Sequence, residues 1–162
     1  MDVYHKVWPS EHILLMAPTG LAAKRMAEST GMSSATIHKA CGLVPADNPS
    51  GFKAQGECRI CGFVGIDEMS MVDVVLFEKL LRGMKDNTRL IIVGDVDQLP
   101  SVGAGNVLSD LINSEKIKYT KLVDIFRQSE NSNIIVNAHK INNGQEPILN
   151  EKNSDFFFLK TE

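Results

Sequence analysis

The chain has 162 residues, close to the ~150 of one typical domain. With 43% hydrophobic and 23% charged residues it holds enough apolar material for a core, which excludes a disordered tail or a fibre. A net charge of −3 excludes a global positive field, so any nucleic-acid contact must use a local patch.

In chain order, residues 1–11 carry no clear pattern, and HILLMA (12–17) is a short, unalternated apolar run that suits a strand buried on both faces. Residues 20–30 read as a helix with Lys24, Arg25 and Glu28 on its polar face and Gly31 as C-cap. A second helix is expected around His38 and Cys41. Residues 42–57, with Pro45, Pro49, Gly51 and Gly56, read as a long surface loop. CGFVGID (61–67) and RLIIVGD (89–95) are further buried strands. Between them Met69, Val72, Leu76 and Leu80 form one apolar helical stripe that stops near Gly83. Val107, Leu108, Leu111 and Ile112 mark a helix, and YTKLV (119–123) is a weaker strand candidate. Ile134, Ile135, Ala138 and Ile141 mark a last helix ending at Gly144, and DFFFL (155–159) reads as an edge strand or the start of a next domain. Strand–helix alternation of this kind implies a doubly wound α/β layer.

Three cysteines do not make a disulfide framework. The longest apolar runs fall far short of the ~20 residues that cross a bilayer, and the N-terminal stretch has no signal-peptide core. The expectation is a soluble, cytoplasmic protein without membrane contact.

Four segments carry chemistry. FVGIDEMSMVD (63–73) ends a strand in Asp67 and Glu68, a pair able to hold Mg²⁺ and to orient or deprotonate a water. The bland alternative is that both merely charge the next helix N-terminus. LIIVGDVDQLPSVGAG (90–105) ends a strand in Asp95 and Asp97, followed by Gln98, which both donates and accepts; an Asp/Pro/Gly turn is its bland reading. In APTGLAAKRM (17–26), Thr19 reads as an N-cap whose neighbouring N–H groups suit a phosphate oxygen, although alone the segment reads more simply as a cap with two solvated charges, Lys24 and Arg25; SSATIHKACG (33–42) adds Thr36, His38 and Lys39. DIFRQSE (124–130) places Arg127 after the weak strand, where it either reaches a transferring phosphoryl group or forms a surface ion pair.

The order and spacing of APTGLAAKRM, ATIHK, IDEMSMVD, VGDVDQLPSVGAG, IFRQ and VNAHKIN, over residues 13–144, resemble superfamily 1 DNA helicases of the RecD-like branch, the exodeoxyribonuclease V alpha subunit family. The resemblance implies a RecA-like P-loop NTPase fold, three-layered with a mostly parallel sheet, and an ATP-dependent 5′–3′ helicase of DNA recombination and repair. By the same resemblance, Asp67 is the Mg²⁺-associated carboxylate and Glu68 the base that activates water against the γ-phosphate of ATP. Gln98 reports the γ-phosphate state, and Arg127 neutralises charge in phosphoryl transfer. Thr19, Gly20, Thr36 and His38 match segments that grip single-stranded DNA. Implied partners are ATP, single-stranded DNA, a second motor domain of the same chain and subunits of a nuclease complex.

Such a motor needs G-x-x-x-x-G-K-[ST], yet none of the twelve glycines is followed by lysine. The expectation is therefore a fold incomplete at its N-terminus: residues 1–11 as a remnant, 12–146 as a partial first motor domain, and 147–162 as the edge strand or next domain. Alone it would be catalytically silent and bind neither ATP nor Mg²⁺ tightly. The strand leading into the phosphate loop belongs beside the one that carries GDVDQ. Its place is expected to be filled or covered by VYHKVW (3–8) or by a strand of a neighbouring copy.

Three rival readings compete. Cys58 and Cys61 with His38 and Cys41 would make a Cys₃His zinc module. Asp67, Glu68, Asp95 and Asp97 would serve a Mg²⁺-dependent phosphohydrolase, although no D-x-D-x-T motif occurs. A passive domain would hold single-stranded DNA weakly through Lys24, Arg25 and Lys39.

Overall fold

The computed structural model describes residues 2–47, 52–55, 60, 62–122, 132–149 and 155–159. It divides into two units, residues 1–118 and 119–162.

The first unit is built on a four-stranded parallel sheet flanked by helices. Its strands are β1 (Ile13–Ala17), β2 (Ser34–Thr36), β5 (Phe63–Ile66) and β6 (Arg89–Ile92), ordered β2-β1-β5-β6. β1 and β5 each have a strand on either side, and all four residues of β5 are buried, as unalternated apolar runs require. Helix α2 (Gly20–Thr30) follows β1 and ends on Gly31 at φ 67°, the left-handed conformation glycine adopts without a Cβ penalty. β2 passes directly into the short α3 (Ile37–Ala40).

The apolar stripe of residues 69–80 is buried as expected, but it is not one helix. Met69–Met71 forms a 3₁₀ turn, and Asp73 then caps α4 (Val74–Gly83) by accepting from Leu76 N at 2.7 Å. An aspartate that competes for backbone N–H groups restarts the helix there. Met69, Val72, Leu76 and Leu80, with Val107 and Leu108 of α5 (Val107–Asn113), form a core against Val64 and Ile66 of β5.

Three expectations need correction in this unit. Residues 42–57 are not only loop: β3 (Leu43–Pro45) pairs antiparallel with β4 (Phe52–Ala54), Val44 opposite Lys53. β6 is not buried on both faces. Leu90 and Ile92 pack on the core, whereas Ile91 is 49% exposed and Val93, just beyond the strand, 55%. Nor do residues 3–8 supply a strand beside it; among the described residues β6 pairs only with β5.

Residues 3–8 instead belong to helix α1 (Asp2–Val7) and the turn after it. One helical turn sets Tyr4 and Trp8 side by side, ring centroids 4.9 Å apart, where a strand would hold an i, i+4 pair ~13 Å apart. Both rings clasp Arg89 at the start of β6, its guanidinium carbon 4.6 Å from the Trp8 centroid and 5.8 Å from that of Tyr4. Arg89 Nη1 also donates to Tyr4 Oη and Glu11 Oε1, each at 3.0 Å, and Tyr4 Oη donates to Glu11 at 2.5 Å. The tyrosine and arginine hold the Glu11 carboxyl below its usual range. Cation–π and charge-assisted contacts thus fasten α1 to the amino end of β6.

In the second unit α6 (Asn133–Asn142) forms where its periodicity predicts, with Gly144 at φ 69° beyond its end. The expected strand at 119–123 is not formed at 119–122, and Val123 lies outside the described residues. Residues 155–159 form no strand either. Asp155 instead takes hydrogen bonds from the Ser132 hydroxyl and from Asn133 and Ile134 N, so its carboxylate serves the N-terminus of α6. Asn137 is fully buried, its amide donating to Ile148 O at 2.8 Å and accepting from Ile148 N at 2.7 Å. Asn137→Ala should leave both backbone groups of Ile148 unpaired, at a cost of about 1–3 kcal/mol. Amide hydrogen exchange at Ile148 should quicken accordingly; unchanged protection would show that the pair carries no local stability.

Candidate functional site

Because the four strands of the sheet run parallel, whatever follows each of them emerges from the same edge. Met16, Ile66 and Ile92 lie side by side across β1, β5 and β6, and Ala17 lies opposite Thr36. Thr19 and Gly20, Thr36 and His38, Asp67 and Glu68, and Asp95 to Gln98 are the next residues along their strands. The carboxyl edge of a parallel sheet is where α/β proteins collect ligands.

Thr19 and Thr36 are both helix N-caps, accepting from Ala22 N and Lys39 N respectively, each at 3.2 Å. A hydroxyl that accepts in this way keeps its own proton for a further acceptor, such as a phosphate oxygen. A Cβ on Gly20 would meet nothing within 4 Å, so the start of α2 is open to close approach. Lys24, by contrast, forms an exposed pair with Glu28 at 3.8 Å, which fits a solvated face.

Asp67 is half-buried; its N–H reaches Met16 O at 3.1 Å and its Oδ1 accepts from Glu68 N at 2.9 Å. Glu68 stands in the left-handed region at φ 54°, ψ 41°, and its carboxylate makes no capping hydrogen bond. That conformation costs a non-glycine residue on the order of 1 kcal/mol and clusters at functional sites. Glu68 sits at the start of the 3₁₀ turn without a side-chain capping bond, and α4 is capped by Asp73 instead, so neither carboxylate of the pair caps α4. The adjacent Ser70 Oγ is buried with no hydrogen-bond partner among the described residues, a second local cost in the same turn.

The turn is also tied to the neighbouring strand. Met69 N donates to Val93 O at 3.0 Å, and a Cβ on Gly94 would lie 3.1 Å from Met69 N and 2.8 Å from Leu108 Cδ2. Beyond Gly94, Asp95 Oδ1 accepts from Asp97 N at 3.0 Å and Asp95 O from Gln98 N at 3.3 Å. For Asp95, the turn-forming reading therefore holds. Gln98 is exposed on the sheet edge.

His38 packs on Phe52 of β4, ring centroids 4.4 Å apart. Burial pushes its imidazole below the usual value, and the Asp73 carboxylate partly opposes that shift. Sequence reasoning missed Asp73 as part of this neighbourhood. An aspartate just before an apolar helical run is a readable N-cap, but its meeting with distant residues is tertiary.

Arg127, Cys58 and Cys61 lie outside the described residues. Cys41 is buried at the end of α3, and among the described residues no three His, Cys, Asp or Glu side chains are grouped to hold a metal. Among the described residues no helix is long and apolar enough to cross a membrane.

Residues 1–156 match the family described as AAA domain. The chain is 35% identical over 139 residues to the ATP-dependent RecD2 DNA helicase of Deinococcus radiodurans, covering 85% of this chain and 19% of that relative. It is 38% identical over 121 residues to the RecBCD enzyme subunit RecD of Mycolicibacterium smegmatis, covering 64% and 22%. The chain thus spans about a fifth of the length of the curated relatives it matches. Two solved structures share the fold: two coordinating Pif1 helicases at forked duplex DNA, with TM-score 0.55, 21% identity and coverage of 85% of this chain and 39% of theirs, and unliganded Pif1 from Bacteroides sp., with 0.53, 22%, 90% and 39%. These relatives favour neither the zinc module nor the phosphohydrolase. A match running from residue 1 to residue 156, with RecD proteins among the relatives, makes this chain a member of the AAA domain family in its RecD-like superfamily 1 branch.

Proposed function

We propose that the chain carries part of the ATP-hydrolysing and DNA-gripping edge of an ATP-dependent 5′–3′ DNA helicase acting in recombination and repair. The observation that carries this reading is the shared carboxyl edge of the parallel sheet, where a left-handed Glu68, its side chain making no capping hydrogen bond, stands beside Asp67. RecD2 and RecD are named as a DNA helicase and a RecBCD subunit, which supports the same direction.

In this reading Asp67 holds Mg²⁺, and Glu68 takes the proton of the attacking water. A lone half-buried carboxylate fits Mg²⁺, which is commonly held by one or two carboxylates together with water and substrate phosphates rather than by a cage of protein ligands. Asp67 would hold the ion, and the chemistry the ion would supply when bound is neutralisation of charge developing in phosphoryl transfer. Gln98 senses the γ-phosphate from the end of β6, and Arg127 completes charge neutralisation. Thr19 and Thr36 donate hydroxyl protons to the backbone of single-stranded DNA, with Gly20 allowing close approach and His38 adding a ring N–H. A second motor domain and nuclease-complex subunits are the partners this reading adds.

Glu68→Gln in the full-length protein should lower kcat for ATP hydrolysis by ~10²–10⁴ with little change in KM, as loss of a general base does. Undiminished turnover would remove Glu68 from the chemistry. Residues 1–162 alone contain no phosphate-cradling loop and should turn over no ATP above background; turnover abolished by Glu68→Gln would refute that. His38, folded with a depressed value, should titrate below 6.5 in an imidazole NMR experiment. Its protonation then opposes folding, so its effect on stability is nil well above pH ~6.5 and becomes a loss as pH falls from there toward the folded value. A midpoint at or above 6.5 would contradict its burial against Phe52.

A further inference from the structure

The carboxylate of Asp73 occupies a position that the reading above leaves without a role. Its Oδ1 caps α4 through Leu76 N, while the rest of the side chain presses on the loop that follows Gln98. A Cβ on Gly103 would overlap the Asp73 carboxylate, with Asp73 Cβ and Cγ both at 2.7 Å, so at position 103 only glycine lets the two meet unshifted. The contact is reinforced on either side. Val74 N donates to Ala104 O at 3.0 Å, and a Cβ on Gly105, at φ 92°, would stand 3.1 Å from Val74 Cβ. Within the loop, Ser101 Oγ donates to Gly103 O at 3.1 Å, which holds the segment in the shape that fits the helix end.

Asp73 also stands between two parts of the site. Five residues upstream is Glu68, joined to it by the 3₁₀ turn. Five residues before Gly103 is Gln98. On its third side, Leu76 and Leu80 of α4 share a buried core with Ile37, the neighbour of His38 in the segment after β2, and the Asp73 carboxylate acts electrostatically on His38.

We propose that Asp73, seated on Gly103, is a positioning residue that couples the Glu68 turn and the Gln98 loop to the DNA-facing segment containing His38. The inference rests on the helicase reading, because it assigns the coupling between that reading's two ligands. Asp73 touches neither nucleotide nor DNA in this role; it links the segments that do.

The test uses the full-length protein, ATP and a single-stranded oligo(dT). Asp73→Asn retains the side-chain length and a capping oxygen but removes the charge, and Gly103→Ala wedges the seat from the opposite side. Both should keep basal kcat and the KM for ATP within about twofold, while the stimulation of ATP hydrolysis by oligo(dT) falls about fivefold or more, the scale of a typical coupling between sites. A merely structural role would lower basal turnover and stimulated turnover together. Normal stimulation in both folded variants, with a responsive wild-type protein, would overturn the inference alone. A wild-type protein whose ATP hydrolysis ignores oligo(dT) would overturn the helicase reading and the inference with it. Should Gly103→Ala fail to fold, Asp73→Asn decides the matter, since an asparagine cap preserves the helix start.

Discussion

The backbone ladder that joins β5 to β1 on one side and β6 on the other is the constraint on which the rest of the site depends. Its parallel sense leaves no choice about where the chain exits: Met16, Ile66 and Ile92 are level, so every following loop opens on one edge. Burial of Phe63, Val64 and Ile66 holds the ladder in place. Two backbone bonds extend the tie past the strands, Asp67 N to Met16 O and Met69 N to Val93 O. They set the carboxylates of residues 67 and 68 relative to both neighbouring strands before any ligand arrives.

Close approach then substitutes for bulk at the edge. Gly94 lets the turn at Met69 lie against β6, and Gly103 lets the following loop lie against Asp73. Interiors packed to crystal-like density transmit small shifts instead of absorbing them. A loop seated on a helix cap through glycine leaves little room for either to shift without the other.

Much of this was legible in the residues. The buried strands, the helix ending at Gly31 and the acid-tipped strand ends followed from apolar runs and from Gly, Asp and Thr at their boundaries. The strand of residues 34–36 escaped notice because three residues carry too little periodicity to read. The pairing of Leu43–Pro45 with Phe52–Ala54 escaped because its proline and glycine content spoke for loop. The stripe of residues 69–80 misled in a more instructive way. The same four side chains are buried whether or not the backbone is one helix, and only the left-handed Glu68 and the cap at Asp73 reveal the break. Contacts between distant segments, such as Asp73 with Gly103 or Arg89 with Trp8, leave no local trace at all.

The aromatic clasp on Arg89 has a consequence for observing the molecule. Trp8 is the chain's single tryptophan, and it stands over a guanidinium at the amino end of β6. The carboxylates and the threonine caps leave from the opposite end of the strands. Indole emission therefore reports whether α1 holds the amino end of the sheet, at the end away from the carboxylates.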